Sequence, residues 1–259
     1  MTWKLATFNV NGIRARLGIL ADWLAANRPD ALCLQEIKVQ DADFPAADLA
    51  QLGYRAAFWG QKSYNGVAIL TLREPAAVVR GFGGAAEGEE ARLISLTVDG
   101  VTLLNAYVPQ GREVGHPAFA AKLAFLDRLA ALLSANHQPD QRLVLAGDLN
   151  VAPTDLDLYD PARLAGAVGC HPDERAALAR VAAWGLTDLF RQHNPEARQF
   201  TFWDYRLPQS FKRNLGWRID HLLASAPLAA ACVACTVDSA PRALEKPSDH
   251  APLVAEFEI

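Results

Sequence analysis

The chain has 259 residues, 51% of them hydrophobic, and a formal net charge of −4. That is apolar material for a sizeable core, in one large domain or two small ones. The acidic balance argues against a polycation that coats nucleic acid, yet leaves room for an enzyme with a local carboxylate cluster and a local basic rim.

The opening MTWKLATFNV is too short an apolar run for a signal peptide and leads straight into Asn9 and Asn11. No apolar run approaches the ~18 residues of a membrane span. Four unevenly placed cysteines do not resemble a disulfide framework. The expectation is a soluble, reduced, cytoplasmic protein that meets no membrane.

In chain order, 3–8 reads as a strand and 13–26 as an amphipathic helix with Leu17, Leu20 and Leu24 on one face and Pro29 after it. A buried strand follows at 31–34, ending at Gln35 and Glu36. Strands at 54–59 and 66–71 are joined by the polar turn QKSYNG, and strands at 92–98 and 101–108 by Asp99-Gly100, a strong hairpin signal. A long helix is expected over 117–135, a buried strand over 142–146 and a helix with an acidic first turn over 173–183. Strands at 217–224, 232–237 and 251–257 close the chain. Hairpins mixed with helix crossovers imply mixed sheets packed face to face with helices outside. Cys232 and Cys235 form a CxxC with no second pair, and as strand residues three apart they are expected on opposite faces.

Polar residues recur where the apolar runs end: Asn9, Glu36, Tyr107, Asp148, Asn150, Asp220, Asp249 and His250. Strand ends are the usual place for sites in layered α/β folds. Four carboxylates, two carboxamides, a phenol and an imidazole brought together suit phosphodiester hydrolysis around a hard cation. Glu36 is the best single metal ligand, with Asn9 and Asp249 as its neighbours; paired with Lys38 it would instead be a rim glutamate. In Gly147-Asp148-Leu149-Asn150 the aspartate can hold or deprotonate a water and Asn150 can orient it, unless the pair only forms an Asx turn. His250 can stabilise charge developing on a phosphate, with Asp220 fixing its tautomer and Tyr107 offering a hydroxyl. Ser248 has no GxSxG setting, and neither HEXXH nor a P-loop is present.

The segments FNVNGIRAR, PDALCLQEIKV, LGYRAAFWGQKSYNGVAIL, YVPQG, GDLNVAPTDLDL, WGLTDLFR, FTFWDYR, WRIDHLLAS and EKPSDHAPL run nearly end to end. With them the chain resembles the exonuclease III family of AP endonucleases, within the endonuclease/exonuclease/phosphatase superfamily. The resemblance implies one domain over 1–259, a four-layered α/β sandwich of two packed mixed β-sheets flanked by helices. It implies Mg²⁺-dependent hydrolysis 5′ to an abasic site, with Mn²⁺ as a substitute, and 3′ exonuclease, 3′-phosphatase or 3′-phosphodiesterase activity in some members. The implied substrate is double-stranded DNA with abasic sites or blocked 3′ ends; nothing in the sequence marks an oligomer, and a monomer is the default expectation.

Carried over residue by residue, the resemblance makes Glu36 the main metal ligand with Asn9 and Asp249 nearby. Asp148 becomes the water activator, Asn150 the orienting group, His250 and Tyr107 the phosphate contacts and Asp220 the partner of His250. Phe202, Trp217 and Ile219 resemble a pocket for a flipped abasic sugar, a slot that admits a deoxyribose without a base. Two departures stand out: FTFW resembles the mammalian type, whereas Asn11 is aspartate in that type. Arg112 is the only arginine in a short loop after YVPQG. Arg14, Lys62, Asn65, Lys212, Arg213 and Arg218, with Arg112, are candidate DNA contacts, mainly to phosphates. A general deoxyribonuclease, a phosphatase acting on lipid head groups and an inactive binding scaffold remain alternatives.

Overall fold

The computed structural model describes residues 2–259. Its elements are β1 (Thr2–Asn9), α1 (Ile13–Asn27), β2 (Ala31–Gln35), α2 (Ala46–Gln51), β3 (Arg55–Trp59), β4 (Val67–Thr71), β5 (Ala76–Arg80), β6 (Leu93–Val98), β7 (Val101–Tyr107), α3 (Pro117–Asn136) and β8 (Leu143–Asp148). They continue with α4 (Pro161–Leu164), α5 (Pro172–Ala182), β9 (Leu186–Asp188), α6 (Leu189–His193), β10 (Asp220–Ser225), α7 (Ala226–Ala231), β11 (Cys232–Val237) and β12 (Leu253–Glu258). Among the described residues no helix is long and apolar enough to cross a membrane.

Two six-stranded mixed sheets form, ordered β11-β12-β1-β2-β4-β3 and β5-β6-β7-β8-β10-β9. Each has one parallel pair, β1·β2 or β7·β8, and antiparallel neighbours elsewhere. A parallel pair needs a crossover, and α1 and α3 supply the two crossovers. The sheets therefore repeat one topology that leaves no periodic trace in the sequence.

The sheets meet across a core that takes Leu5, Cys33 and Ile69 from one and Ile94, Leu103 and Val144 from the other. Inside it the Gln35 amide donates to Asn105 Oδ1 at 2.7 Å, tying sheet to sheet. On the outer face of the first sheet, α1 buries Ile13, Leu20, Trp23 and Leu24. Each such side chain contributes about 1.5–3 kcal/mol of burial. The helix stops at Arg28, whose left-handed backbone sends its N–H to the Leu24 carbonyl, and Pro29 prevents continuation. Helices α3 and α5 cover the outer face of the second sheet through Phe125, Leu129, Ala177 and Val181.

Three expectations need correction. The strand expected from Trp217 begins only at Asp220; Trp217 makes isolated bridges to Leu158 and Phe202 instead. The strands β5 and β9 were not foreseen: β5 is exposed along its whole length and β9 has three residues, so neither shows a core-facing alternation. Cys232 and Cys235 both face the core, because a bulge between Cys232 and Ala234 shifts the pairing with β12 by one residue. All four cysteines are buried and free.

Candidate active site

The topology brings the polar strand ends together. Asn9 ends β1 in register with Gln35 of β2, so Glu36 emerges one step beyond. Tyr107 and Asp148 are register partners at the ends of β7 and β8, and Asp220 opposes Asp148 as β10 begins. His250 arrives just before β12, which pairs with β1. Gly147 is required here: its φ is 136°, and a Cβ would lie 2.0 Å from the Ala106 carbonyl oxygen. Glu36 and Asn150 also have positive φ, 50° and 53°, which is uncommon outside glycine and typical of functional sites held by their surroundings.

Asn9 brackets the two acids. Its amide donates to Glu36 Oε1 at 2.8 Å and to Asp148 Oδ2 at 2.9 Å, while its oxygen accepts from the Asn11 N–H. Lys38 lies 2.8 Å from Glu36 Oε2 and also bonds the Asn11 carboxamide, which in turn donates to Asp249 at 2.9 Å. Burial pushes the Glu36 carboxyl up, but Lys38 and Asn9 prevail and its pKa is lowered. Glu36 is thus paired with Lys38 and also lies in the acidic cluster.

His250 Nδ1 lies 2.8 Å from Asp220 Oδ2, and its Nε2 lies 3.8 Å from Asp148 Oδ2. Burial pulls the imidazole pKa down; the Asp220 charge and hydrogen bond, reinforced by Asp148, more than reverse this and lift it to about 10. Burial pushes Asp148 up to about 7; His250 opposes this, and the Asp220 and Glu36 charges add to it. Tyr107 is held protonated by burial and by Glu36 and Asp148, with the Arg92 guanidinium 4.8 Å from its ring centre. Asn150 donates from its backbone to Asp148 Oδ1 at 2.9 Å and from its side chain to the Val108 carbonyl at 2.9 Å. Asp148 and Asn150 therefore form an Asx turn whose residues line the cleft.

Atoms of Glu36, Asp148 and His250 lie within 4.8 Å of one another, a grouping in which the carboxylate oxygens could hold a metal ion while His250 stays protonated beside them. The donor chemistry fits a hard divalent cation: the Glu36, Asp148 and Asp220 charges crowd one another enough to help keep Asp148 protonated near neutrality. Asp249 stands outside that grouping, joined to it through Asn11. All of this opens into a cleft of about 710 Å³ that Phe202, Trp217 and Ile219 also line, with Leu164 and Val168. The Phe202 ring lies 4.9 Å from the His250 ring, and Trp217 packs on Gly169, where a Cβ would be 3.0 Å from its ring.

The profile of the Endonuclease/Exonuclease/phosphatase family matches residues 6–250. The chain belongs to that family. It is 40% identical to Exodeoxyribonuclease III of Haemophilus influenzae, over 98% of this chain and 99% of that one. An AP endonuclease structure from Archaeoglobus fulgidus superposes with a TM-score of 0.96 at 43% identity, covering 99% of this chain and 100% of that one. A 3′ phosphatase from Neisseria, NExo, solved as an aspartate-to-asparagine variant bound to a product DNA hairpin, superposes with a TM-score of 0.95 at 40% identity and the same coverage. The two sheets with helices outside are the family's α/β sandwich.

The expected basic contacts divide. Arg14 and Lys62 are exposed and line one shallow groove beside Lys38, with Arg14 paired to Asp43 at 3.3 Å. Arg112 is exposed and lines the cleft; Lys212 and Arg213 are exposed on the neighbouring 204–215 loop but do not line it. Arg218 is not a surface contact. It is fully buried, 2.7 Å from Asp157 and 2.8 Å from Asp188, because the chain turns inward before β10 begins. Asn65 is only 6% exposed and spends its amide on Gln61, so its side chain shapes the loop instead of meeting a phosphate. Sequence reasoning missed Arg163 and Arg206, which are exposed and line the cleft; Arg206 is the last residue of the FTFWDYR segment, and that membership was the available signal.

Proposed function

We propose that this protein is a Mg²⁺-dependent AP endonuclease, hydrolysing double-stranded DNA on the 5′ side of an abasic site and leaving a 3′-hydroxyl. The observation that carries this reading is a single cleft lined both by the Asp148, His250 and Glu36 cluster and by apolar Phe202, Trp217 and Ile219. A base-free sugar turned out of the duplex fits such a lining, and a nucleotide that keeps its base is excluded by size.

Glu36 would be the chief holder of the ion, with Asn9 and Asp249 bracing it; Mn²⁺ has the same taste for oxygen donors and would substitute. When bound, the ion supplies Lewis-acid stabilisation of charge on the phosphate. His250, kept protonated by Asp220, offers its Nε2 proton to a phosphate oxygen. That leaves Asp148 to accept the proton of the attacking water, and its pKa of about 7 suits a general base at neutral pH. Asn150 orients that water, and the Tyr107 hydroxyl supports the phosphate.

These groups span Asn9 to His250 of one chain, which supports reading 1–259 as a single domain, with a monomer as the simplest assembly that supplies the site. Arg14, Lys62, Arg112, Lys212 and Arg213, joined by Arg163 and Arg206, hold the duplex through its phosphates, and binding weakens as salt rises. The relation to the Neisseria 3′ phosphatase favours a second activity on blocked 3′ ends in the same cleft. The test compares kcat/KM on a duplex with one abasic analogue against the same duplex intact. A large preference for the lesion supports the reading; equal rates would leave a general nuclease.

A further inference from the structure

Lys122 and Glu174 take no part in the chemistry above, yet both side chains are fully buried and bonded to each other. Lys122 stands on α3 among Phe119, Phe125, Leu126 and Leu129, the buried row of that helix. An ammonium has three protons to give. One goes to Glu174, one to the Asn150 carbonyl at 2.6 Å and one to the Gln110 carbonyl at 3.3 Å. The other Glu174 oxygen accepts from the Gly169 N–H at 2.7 Å and the His171 N–H at 3.0 Å.

One ion pair thus grips three separate stretches of cleft-lining backbone, at Gln110, Asn150 and Gly169. The Ala152 N–H closes the ring by donating to the Gly169 carbonyl at 2.6 Å. Packing agrees: a Cβ on Gly111 would lie 3.3 Å from Lys122 Cδ and 3.2 Å from Val168. A buried ion pair is a weak stabiliser, often replaceable by apolar residues of similar volume. Apolar residues, however, could not hold two carbonyl oxygens and two amide N–H groups from different loops. The Asn150 backbone is left-handed and needs its surroundings to hold it there; Lys122 is the restraint on its carbonyl.

We infer that the Lys122–Glu174 pair is a positioning device for the reaction, fixing Asn150 beside Asp148 and bracing the Gly169 loop behind it. The catalytic part of this inference rests on the function proposed above; the structural part does not.

The test uses the full-length Lys122→Met, Glu174→Gln double variant, which removes both charges while keeping side-chain length. Amide hydrogen exchange should quicken at least tenfold in peptides covering 108–112, 149–153 and 167–172, with β1 and β12 unchanged. On an abasic duplex kcat should fall at least tenfold and KM change less than twofold. Introduced into an Asn150→Ala enzyme, the same pair of changes should cost little more, because both act through one group. A folded double variant with wild-type exchange and kcat overturns the inference, and so does a loss that multiplies fully with that of Asn150→Ala. If the wild-type protein does not cut the abasic duplex, the proposed function fails and the exchange experiment alone decides. Should the double variant not fold, Glu174→Gln alone keeps the Lys122 bonds to the two carbonyls. Faster exchange confined to 167–172 then supports the inference, and unchanged exchange there overturns it.

Discussion

Replacing Arg218 by methionine separates two readings of the WRID segment. In the structure Arg218 neutralises Asp157 at 2.7 Å and Asp188 at 2.8 Å, fully out of water. Removing one partner of a buried pair costs about 3–5 kcal/mol. Here Asp157 keeps Arg191 at 2.5 Å and the Thr154 hydroxyl at 2.7 Å, while Asp188 keeps only the Arg191 N–H at 3.2 Å and His221 at 3.9 Å. One acid of the two is stranded, which places the loss near the lower end, about 3 kcal/mol, or a fall in Tm of about 6–12 °C. The deficit depends on pH. Burial pushes both acids up, but Arg218 and its neighbours hold both below the usual aspartate range. Their contribution is therefore present above the unfolded value of 3.8 and lost as pH falls through the depressed values, so the variant and the wild type converge in acid. Urea unfolding at pH 7 and at pH 3, where the gap should only have begun to narrow, tests the stability part, and DNA binding over a salt series tests the contact. The salt slope should not change. A variant of wild-type stability whose slope is shallower by about 0.9 would make Arg218 a phosphate contact after all and refute the reasoning.

Asp148→Asn should lower turnover by about 10²–10⁴ while duplex binding persists, and unchanged turnover in a single-turnover assay would remove Asp148 as the proton acceptor. Phe202→Ala should reduce the preference for abasic over intact duplex by about tenfold or more, measured as a ratio of kcat/KM values; an unchanged ratio would mean that the ring is packing alone. The rate should be bell-shaped in pH. It rises through about 7 as Asp148 loses its proton and falls as His250 loses its own at about 10; a profile flat across neutrality would place the slow step in product release.

Where the sequence carries strong local signals, the elements follow them. The alternation of 101–108 and the Asp99-Gly100 turn give a hairpin, and the apolar run before Gly147 gives a buried strand. Asn9, Glu36, Tyr107 and Asp148 were legible because each closes an apolar run, and the two parallel pairs bring those ends to one edge; Asp220 and His250 instead open β10 and precede β12. What was not legible depends on distant partners. Arg218 reads as a charge beside a pocket; its acids lie 61 and 30 residues away in sequence. The bulge that turns both Cys232 and Cys235 inward has no local signature. Glu174 reads as an acid suited to a helix N-terminus, yet it closes the capping box with His171 and turns inward to Lys122. Lys122 did leave a trace: it interrupts the apolar row of α3 three residues after Phe119, a place where a lysine needs a buried partner.

The most direct test of the account is the cutting of an end-labelled duplex with one abasic-site analogue, with Mg²⁺ and with EDTA, beside the same duplex carrying a normal base. The account predicts one incision, 5′ to the lesion and ending in a 3′-hydroxyl, that needs the metal and is absent from the intact duplex. Cutting at equal rates on both duplexes, or cutting that survives EDTA, would contradict it.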